Sequence, residues 1–105
     1  MKYIYFTVNT PLSHCDLVRQ AIGSAGAGII GEYSFCSFTT KGVGRSIPTD
    51  KAKQKYGKQN ILSLQNEEKI ESFCVHDKLE NVISAIRAVH PYEEPAIVYW
   101  EVEIV

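Results

Sequence analysis

The sequence predicts an α+β fold in which a four-stranded antiparallel sheet carries two helices on one face. Three observations predict it. A chain of 105 residues, 45% of them hydrophobic, has room for one core. Strand-like and helix-like segments follow one another in the order β-α-β-β-α-β. In this order, antiparallel strands can form one layer while both helices pack on the same side. We therefore expect a single domain over residues 1–105.

The first half of the chain predicts a strand, a helix and a second strand. Residues 2–8 alternate between two faces, which is the period-2 pattern of a strand. From Pro11, apolar side chains recur at helical spacing as far as a glycine-rich stop signal. A run rich in aromatic, β-branched and serine residues then predicts a strand from about Tyr33 to Thr40, with similar composition extending towards Gly44.

The second half predicts a long loop, a strand, a helix and a last strand. Residues 45–66 are the most polar part of the chain, and their length indicates a functional or mobile loop. A strand follows from about Glu68 to His76, and Asp77 can cap a helix with an apolar stripe that Pro91 ends. The alternating run at the C-terminal end predicts the fourth strand. The complete pattern is typical of a ferredoxin-like βαββαβ sandwich.

Two helices can cover only one face of this sheet, so its other face is predicted to be open. Contiguous exposed apolar surface usually marks an interaction site. We therefore predict a homo-oligomer whose interface includes four side chains of the open face: Tyr3, Tyr5, Ile97 and Tyr99.

The glycine-rich string GAGIIG at residues 26–31 fits the G-x-G-x-x-G pattern of dinucleotide-binding turns. That pattern requires a strand before the turn and a helix after it, because the helix N-terminus holds the pyrophosphate. Here a helix comes before and a strand comes after. We interpret the string as a helix stop and a tight turn.

The most distinctive segment is HPYEEP at residues 90–95. A histidine, a tyrosine and two carboxylates held between prolines can form a rigid site for a metal ion or a cationic group. The alternative is structural: Pro91 stops the helix, Pro95 starts a strand, and a charged His90 interacts favourably with the helix dipole. Both interpretations stay open. The candidate ligand or metal residues are His90, Tyr92, Glu93 and Glu94.

Three widely spaced cysteines are typical of a reducing cytoplasm and not of a disulfide framework. If the second and third strands form a hairpin, Cys36 and Cys74 lie nearly opposite each other and could share a soft metal ion or oxidise. As an alternative, both are small core hydrophobes. Cys74 and His76 lie two apart on a strand, but no third orienting group is identifiable. We therefore predict no enzyme, and a divalent or copper ion as the cofactor that these residues allow.

A net charge of −1 gives no electrostatic reason to expect nucleic acid. RNA-recognition modules share the βαββαβ order, but their aromatic RNP1 string is absent from the sequence. No stretch approaches the roughly 20 apolar residues that cross a bilayer. We expect a cytoplasmic protein that binds neither nucleic acid nor a membrane.

The segment AGAGIIGEYSFCSFTTKGVGRSIP, together with AIRAVHPYEEPA, resembles the small domain inserted in some Nif-three-like dinuclear-metal-centre proteins, also called YqfO-like. That inserted domain is similar in fold to CutA and the PII signalling proteins. The resemblance covers nearly the whole chain and implies a trimer with ligands held in clefts between subunits. It does not include the two flanking halves that supply the metal ligands in that family, so it implies a free-standing accessory domain. The lysine-rich loop at 45–66 also departs from the family pattern.

The sequence therefore predicts a non-enzymatic, oligomeric binding or regulatory module of the PII or CutA type, with a trimer favoured. A metal ion or a small effector would bind near an intersubunit cleft. The alternative is a structural interaction protein that docks onto a partner through its open sheet face.

Overall fold

The computed structural model describes residues 2–105. The predicted order β-α-β-β-α-β is confirmed. A 3₁₀ turn precedes each helix, at Leu12–His14 and His76–Lys78. The six main elements are β1 (Lys2–Pro11), α1 (Cys15–Ser24), β2 (Phe38–Ser46), β3 (Ser63–Cys74), α2 (Leu79–Val89) and β4 (Ile97–Glu103).

The four strands form one antiparallel sheet in the order β2-β3-β1-β4. One face of β1 packs under both helices, and α1 and α2 also contact each other. Full burial of one large aliphatic or aromatic side chain stabilises a fold by about 1.5–3 kcal/mol, so this layer is the main source of stability. Its fully buried side chains include Phe6, Val8, Val18, Ile22, Ile70, Val82 and Ile86.

The face assignment of β4 differs from the prediction. Residues that pair directly across antiparallel strands point to the same face. Ile97 pairs with the buried Val8, and Tyr99 pairs with the buried Phe6. Ile97 and Tyr99 therefore lie on the helix side, and placing them on the open face was wrong. The more apolar set of β4, Val98, Trp100 and Val102, lies on the open face, whereas the set with Ile97 and Tyr99 also carries two glutamates. Hydropathy alone therefore assigns the two faces the wrong way round, and only the register with β1 corrects it.

Aromatic side chains occupy one end of the open face, as predicted from β1. Tyr5 pairs with Trp100, and their ring centroids lie 5.4 Å apart. Tyr3 meets Phe73 of β3 edge to face at 5.8 Å. Trp100 remains 45% exposed. These residues form an aromatic cluster, which consists of Tyr3, Tyr5, Phe73 and Trp100, and its other three members are half-buried.

The loop predicted at 45–66 is shorter in the structure, because both strands beside it are longer than predicted. β3 begins at Ser63 and β2 continues to Ser46, so the connection spans residues 47–62. The pairing of β1 with β3 stops at Glu67, while β2 and β3 continue beyond it as a hairpin arm. No helix covers this arm, so its strands carry polar residues and resemble a loop in sequence.

The glycine-rich string forms a turn, as predicted. Gly28 has φ of +77°, and a Cβ atom there would lie 2.3 Å from the carbonyl oxygen of Cys36. Its N–H donates to the Phe73 carbonyl at 2.7 Å, and its carbonyl accepts from the Cys36 N–H at 2.9 Å. Gly28 therefore bonds both Cys36 and β3, and β2 begins two residues after Cys36, at Phe38.

None of the helices within residues 2–105 has both the length and the hydropathy to cross a bilayer.

Candidate functional site

A cavity of about 510 Å³ lies at the base of the hairpin arm. Its walls come from the end of β1, the arm, the connecting loop and the segment that joins α2 to β4. Of the predicted site residues, Tyr92, Glu93 and Glu94 line it and His90 does not. Other residues that line it include Asn9, Gly44, Arg45, Gln54, Lys55, Tyr56, Glu67 and Ala96.

His90 fixes the segment that forms one wall of the cavity. β4 pairs with β1 only as far as Val8, so the backbone of Asn9 is free on that side. The Nε2 atom of His90 lies 2.8 Å from the Asn9 carbonyl oxygen and donates to it. The Tyr92 N–H donates to Nδ1 at 3.2 Å. Both ring nitrogens are therefore used, in a neutral tautomer with the proton on Nε2.

The environment of His90 opposes both roles predicted for it. The residue is only 8% exposed, and burial lowers the pKa of its imidazole. A neutral ring with both nitrogens in hydrogen bonds offers no lone pair to a metal ion and no charge to the helix dipole. Within the described residues, no three His, Cys, Asp or Glu side chains are grouped to hold a metal ion.

Tyr92 and Glu67 form the floor of the cavity. The Tyr92 hydroxyl donates to Oε2 of Glu67 at 2.5 Å. Burial, and then the neighbouring Glu67, raise the pKa of Tyr92 well above its ordinary range. The ring of Tyr56, from the connecting loop, stands edge to face with Tyr92 at 5.8 Å. The Tyr92 side chain thus joins its own segment to β3 and to the connecting loop.

Glu67 is the site residue that the sequence did not indicate. It is 9% exposed and lies on β3, where the predicted polar loop was thought to end. A Cβ atom at Gly44 would lie 2.0 Å from Oε1 of Glu67, so the glycine makes room for the carboxylate. The space that Gly44 leaves for Glu67 can be recognised only when the register of β2 and β3 is known.

The connecting loop is joined to the other cavity wall by hydrogen bonds. Oε1 of Glu93 accepts from the Lys53 N–H at 2.9 Å. The side-chain amide of Gln54 donates to the Gly57 carbonyl at 3.3 Å, while its Oε1 is buried without a donor from residues 2–105. Glu94 is exposed. Of the two predicted glutamates, Glu93 thus makes a structural contact, and Glu94 is exposed at the cavity.

The paired part of β2 and β3, which begins at Phe38 and Glu71, includes neither of the two cysteines predicted to lie opposite each other. Cys74 pairs with Ile4 of β1 and is buried in the core, where burial raises the pKa of its thiol. Cys36 precedes β2, and its carbonyl oxygen accepts from the Ser72 hydroxyl of β3 at 2.7 Å. The packing of Cys74 instead fits a small core hydrophobe.

Comparisons of sequence place this chain beside part of longer proteins. No protein-family model matches it. It is 44% identical over 89 residues to a Halalkalibacterium halodurans protein named GTP cyclohydrolase 1 type 2 homolog, covering 85% of this chain and 24% of the relative. The Bacillus subtilis protein of the same name is 41% identical over 96 residues, covering 91% and 26%. The chain thus spans about a quarter of the length of these relatives.

Comparisons of structure agree. A Bacillus cereus protein related to NIF3 matches with a TM-score of 0.83 and 32% identity, over 98% of this chain and 26% of that one. The periplasmic divalent cation tolerance protein CutA from Archaeoglobus fulgidus matches with 0.70 and 12%, over 98% and 86%. GlnK from Bacillus subtilis, in complex with ATP, matches with 0.65 and 12%, over 96% and 82%. The two low identities show the fold alone, and they confirm the predicted CutA- and PII-like fold.

Proposed function

We propose, from the premise that this chain is homologous to a quarter-length segment of the Nif-three-like (YqfO-like) proteins, that it is a small non-enzymatic binding or regulatory module. Its effector would occupy the cavity at the base of the hairpin arm. The cyclohydrolase activity in the relatives' name is not part of the proposal, because the chain spans only about a quarter of their length.

One observation carries this proposal: the cavity is built by contacts between segments far apart in sequence. Tyr92 reaches Glu67 of β3, and Glu93 reaches the backbone of Lys53 in the connecting loop. Such cross-links hold the walls in place before a ligand arrives, which reduces the ordering cost of binding. Ligand sites are typically largely preformed concave cavities with a few placed polar groups. The fold neighbour GlnK, solved with ATP, supports an effector of small-molecule size.

We do not extend the proposal to a bound metal ion. His90 uses both ring nitrogens to hold the chain, and Cys74 lies in the core. Of the residues predicted to form a site, Tyr92, Glu93 and Glu94 remain candidates for contact with an organic effector.

Self-association is the second part of the proposal, with a trimer favoured. The aromatic cluster on the open face supports it, because four aromatic rings side by side form an apolar surface of the kind that proteins usually cover. Effectors would then lie near the clefts between subunits. The three free cysteines support the cytoplasm as the compartment.

The same cluster supports an alternative function, docking onto a different protein through the open face. Native mass spectrometry discriminates between them. A trimer at micromolar concentration supports self-association, whereas a monomer that binds a partner only while the cluster is intact supports docking.

Binding to the cavity can be tested by blocking it. A panel of nucleotides, amino acids, dicarboxylates and amines is titrated while amide chemical shifts are recorded. Ala96→Phe fills the mouth of the cavity, and Ala88→Phe adds the same side chain to the exposed face of α2 as a control. We expect Ala96→Phe alone to abolish binding. Binding that survives in Ala96→Phe, or a panel without any ligand, would refute the proposed site.

A further inference from the structure

We propose that the cavity selects a small organic cation that carries a primary ammonium or guanidinium group. This inference rests on the proposed function and adds the chemical class of the effector. It follows from the carboxylate on the cavity floor and from two oxygen atoms at the cavity that accept no hydrogen bond from residues 2–105.

The floor holds a buried carboxylate without a counter-ion. Glu67 is 9% exposed and forms no ion pair with any residue from 2 to 105. Its one hydrogen-bond donor is the neutral hydroxyl of Tyr92, which bonds Oε2. Oε1 accepts no hydrogen bond from the described part of the chain and is not one of its fully buried atoms without a partner, so it is open to the cavity. Carboxylates with little exposure are usually paired with a cation, so a cationic donor that enters the cavity is the partner this oxygen lacks within the chain.

A second acceptor on the cavity walls also lacks a donor. Oε1 of Gln54 is buried and has no partner among residues 2–105, while the amide nitrogen of the same side chain is used by the Gly57 carbonyl. Buried polar atoms without partners are uncommon in folded proteins. Ammonium and guanidinium groups carry several N–H donors and no acceptor, which matches this imbalance.

The two cationic side chains at the cavity do not reverse its preference. Arg45 and Lys55 are exposed, so water and salt screen their charges. Glu93 and Glu94 are exposed at the same mouth. The rim therefore carries both signs, whereas the only buried charged group of the cavity is acidic.

The aromatic wall also suits a cation. Aromatic ring faces attract ammonium and guanidinium groups within about 6 Å of the centroid. The Nζ atom of Lys55 already lies 5.8 Å from the centre of the Tyr56 ring. The rings of Tyr56 and Tyr92 stand edge to face. A ligand ammonium at the Glu67 carboxylate would lie beside these rings.

The test uses four probes with similar short carbon bodies: putrescine, agmatine, butyrate and n-butanol. Each is titrated into the 105-residue chain at millimolar concentrations, because ligands with few heavy atoms bind weakly. Binding is followed by amide chemical shifts, and the two amines are expected to shift the signals of residues at the cavity floor. Butyrate and n-butanol are expected to leave those signals in place.

Glu67→Gln is the decisive variant. It keeps the size of the side chain and an oxygen for Tyr92, but it replaces the negative charge. We expect amine affinity to fall by about tenfold or more, because a charge-assisted hydrogen bond becomes a neutral one. Glu80→Gln, in the first turn of α2 and outside the cavity, is the matched control. If Glu67→Gln does not fold, the decisive readout becomes the contrast between putrescine and n-butanol, together with weaker amine binding at high salt.

The outcomes separate the two proposals. Amine binding that is equally strong in Glu67→Gln, or that ignores salt, overturns the cation inference. Butyrate or nucleotide binding without amine binding also overturns it, while the proposed function stands. Binding of manganese or zinc ions at Glu67 in place of amines overturns it in favour of a metal site. If the broader effector panel also gives no binding, the proposed function fails with it.

Discussion

Removing the Tyr92 hydroxyl tests whether the cavity floor also stabilises the fold. Tyr92→Phe keeps the ring and its contact with Tyr56 but removes the donor to Glu67. A hydrogen bond to a charged group contributes about 1.5–3 kcal/mol, and here its loss leaves a buried carboxylate without any donor. We therefore expect the free energy of unfolding to fall by about 2 kcal/mol. For a chain of this size, that corresponds to a melting temperature lower by about 10 °C.

The measurement is urea and thermal unfolding at one fixed chain concentration, because an oligomer's apparent stability depends on concentration. Tyr33→Phe is the control, since Tyr33 is 74% exposed and is expected to change stability by less than about 0.5 kcal/mol. A double-mutant cycle with Glu67→Gln isolates the interaction between the two side chains. If Tyr92→Phe is as stable as the control, or if the cycle shows no coupling, the hydrogen bond does not hold the floor together.

Three further predictions follow from other parts of the molecule. Burial lowers the pKa of His90, so below about pH 6.5 the unfolded chain binds more protons than the folded chain. The stabilisation from neutral His90 should therefore be complete above that pH and fall beneath it. A urea midpoint that is the same at about pH 7.5 and pH 5.5 would contradict this expectation. Gly28→Ala should lower the free energy of unfolding by about 2–4 kcal/mol, because its Cβ would overlap backbone atoms of Cys36. Gly31 also has a positive φ but open space around it, so Gly31→Ala should lower it by only about 1–2 kcal/mol. Equal losses in calorimetry would show that the close approach of Gly28 to Cys36 is unimportant. Trp100→Asp on the open face should dissociate the proposed oligomer in native mass spectrometry, while Tyr99→Asp on the helix side should not. The reverse result would place the interface on the helix side of the sheet and contradict the proposal.

The order of elements could be predicted because a segment that packs on the core has apolar residues at regular strand or helix spacing. The strand in residues 2–8 and the stripe of α2 both present one face to buried neighbours. The arm of β2 and β3 packs on no helix, so its pattern is polar and its length was underestimated. The faces of β4 could not be assigned because its more apolar set, which includes Trp100, lies on the open face, and the register comes from pairing with β1.

Three of the residues predicted to form a site, Tyr92, Glu93 and Glu94, line the cavity, while the structure gives His90 a different role. The HPYEEP segment does form a wall of the cavity, and two of its members, Tyr92 and Glu93, make contacts across it. The role of His90 could not be foreseen, because its partner is a backbone carbonyl 81 residues away in sequence. Glu67 was missed because nothing in the local pattern of β3 distinguishes a buried glutamate from an exposed one.

The arrangement of the cavity floor shows how the proposed cation site would be both rigid and selective. Tyr92 holds one oxygen of the Glu67 carboxylate, and Gly44 leaves the space that the other oxygen occupies. The carboxylate is therefore fixed in position by the fold, while one of its oxygens stays available to a ligand. Binding a donor at that oxygen requires no new arrangement of the carboxylate, so its orientation adds no ordering cost to the affinity. Because the same hydrogen bond supports the fold, loss of the Tyr92 hydroxyl should weaken stability and ligand binding together.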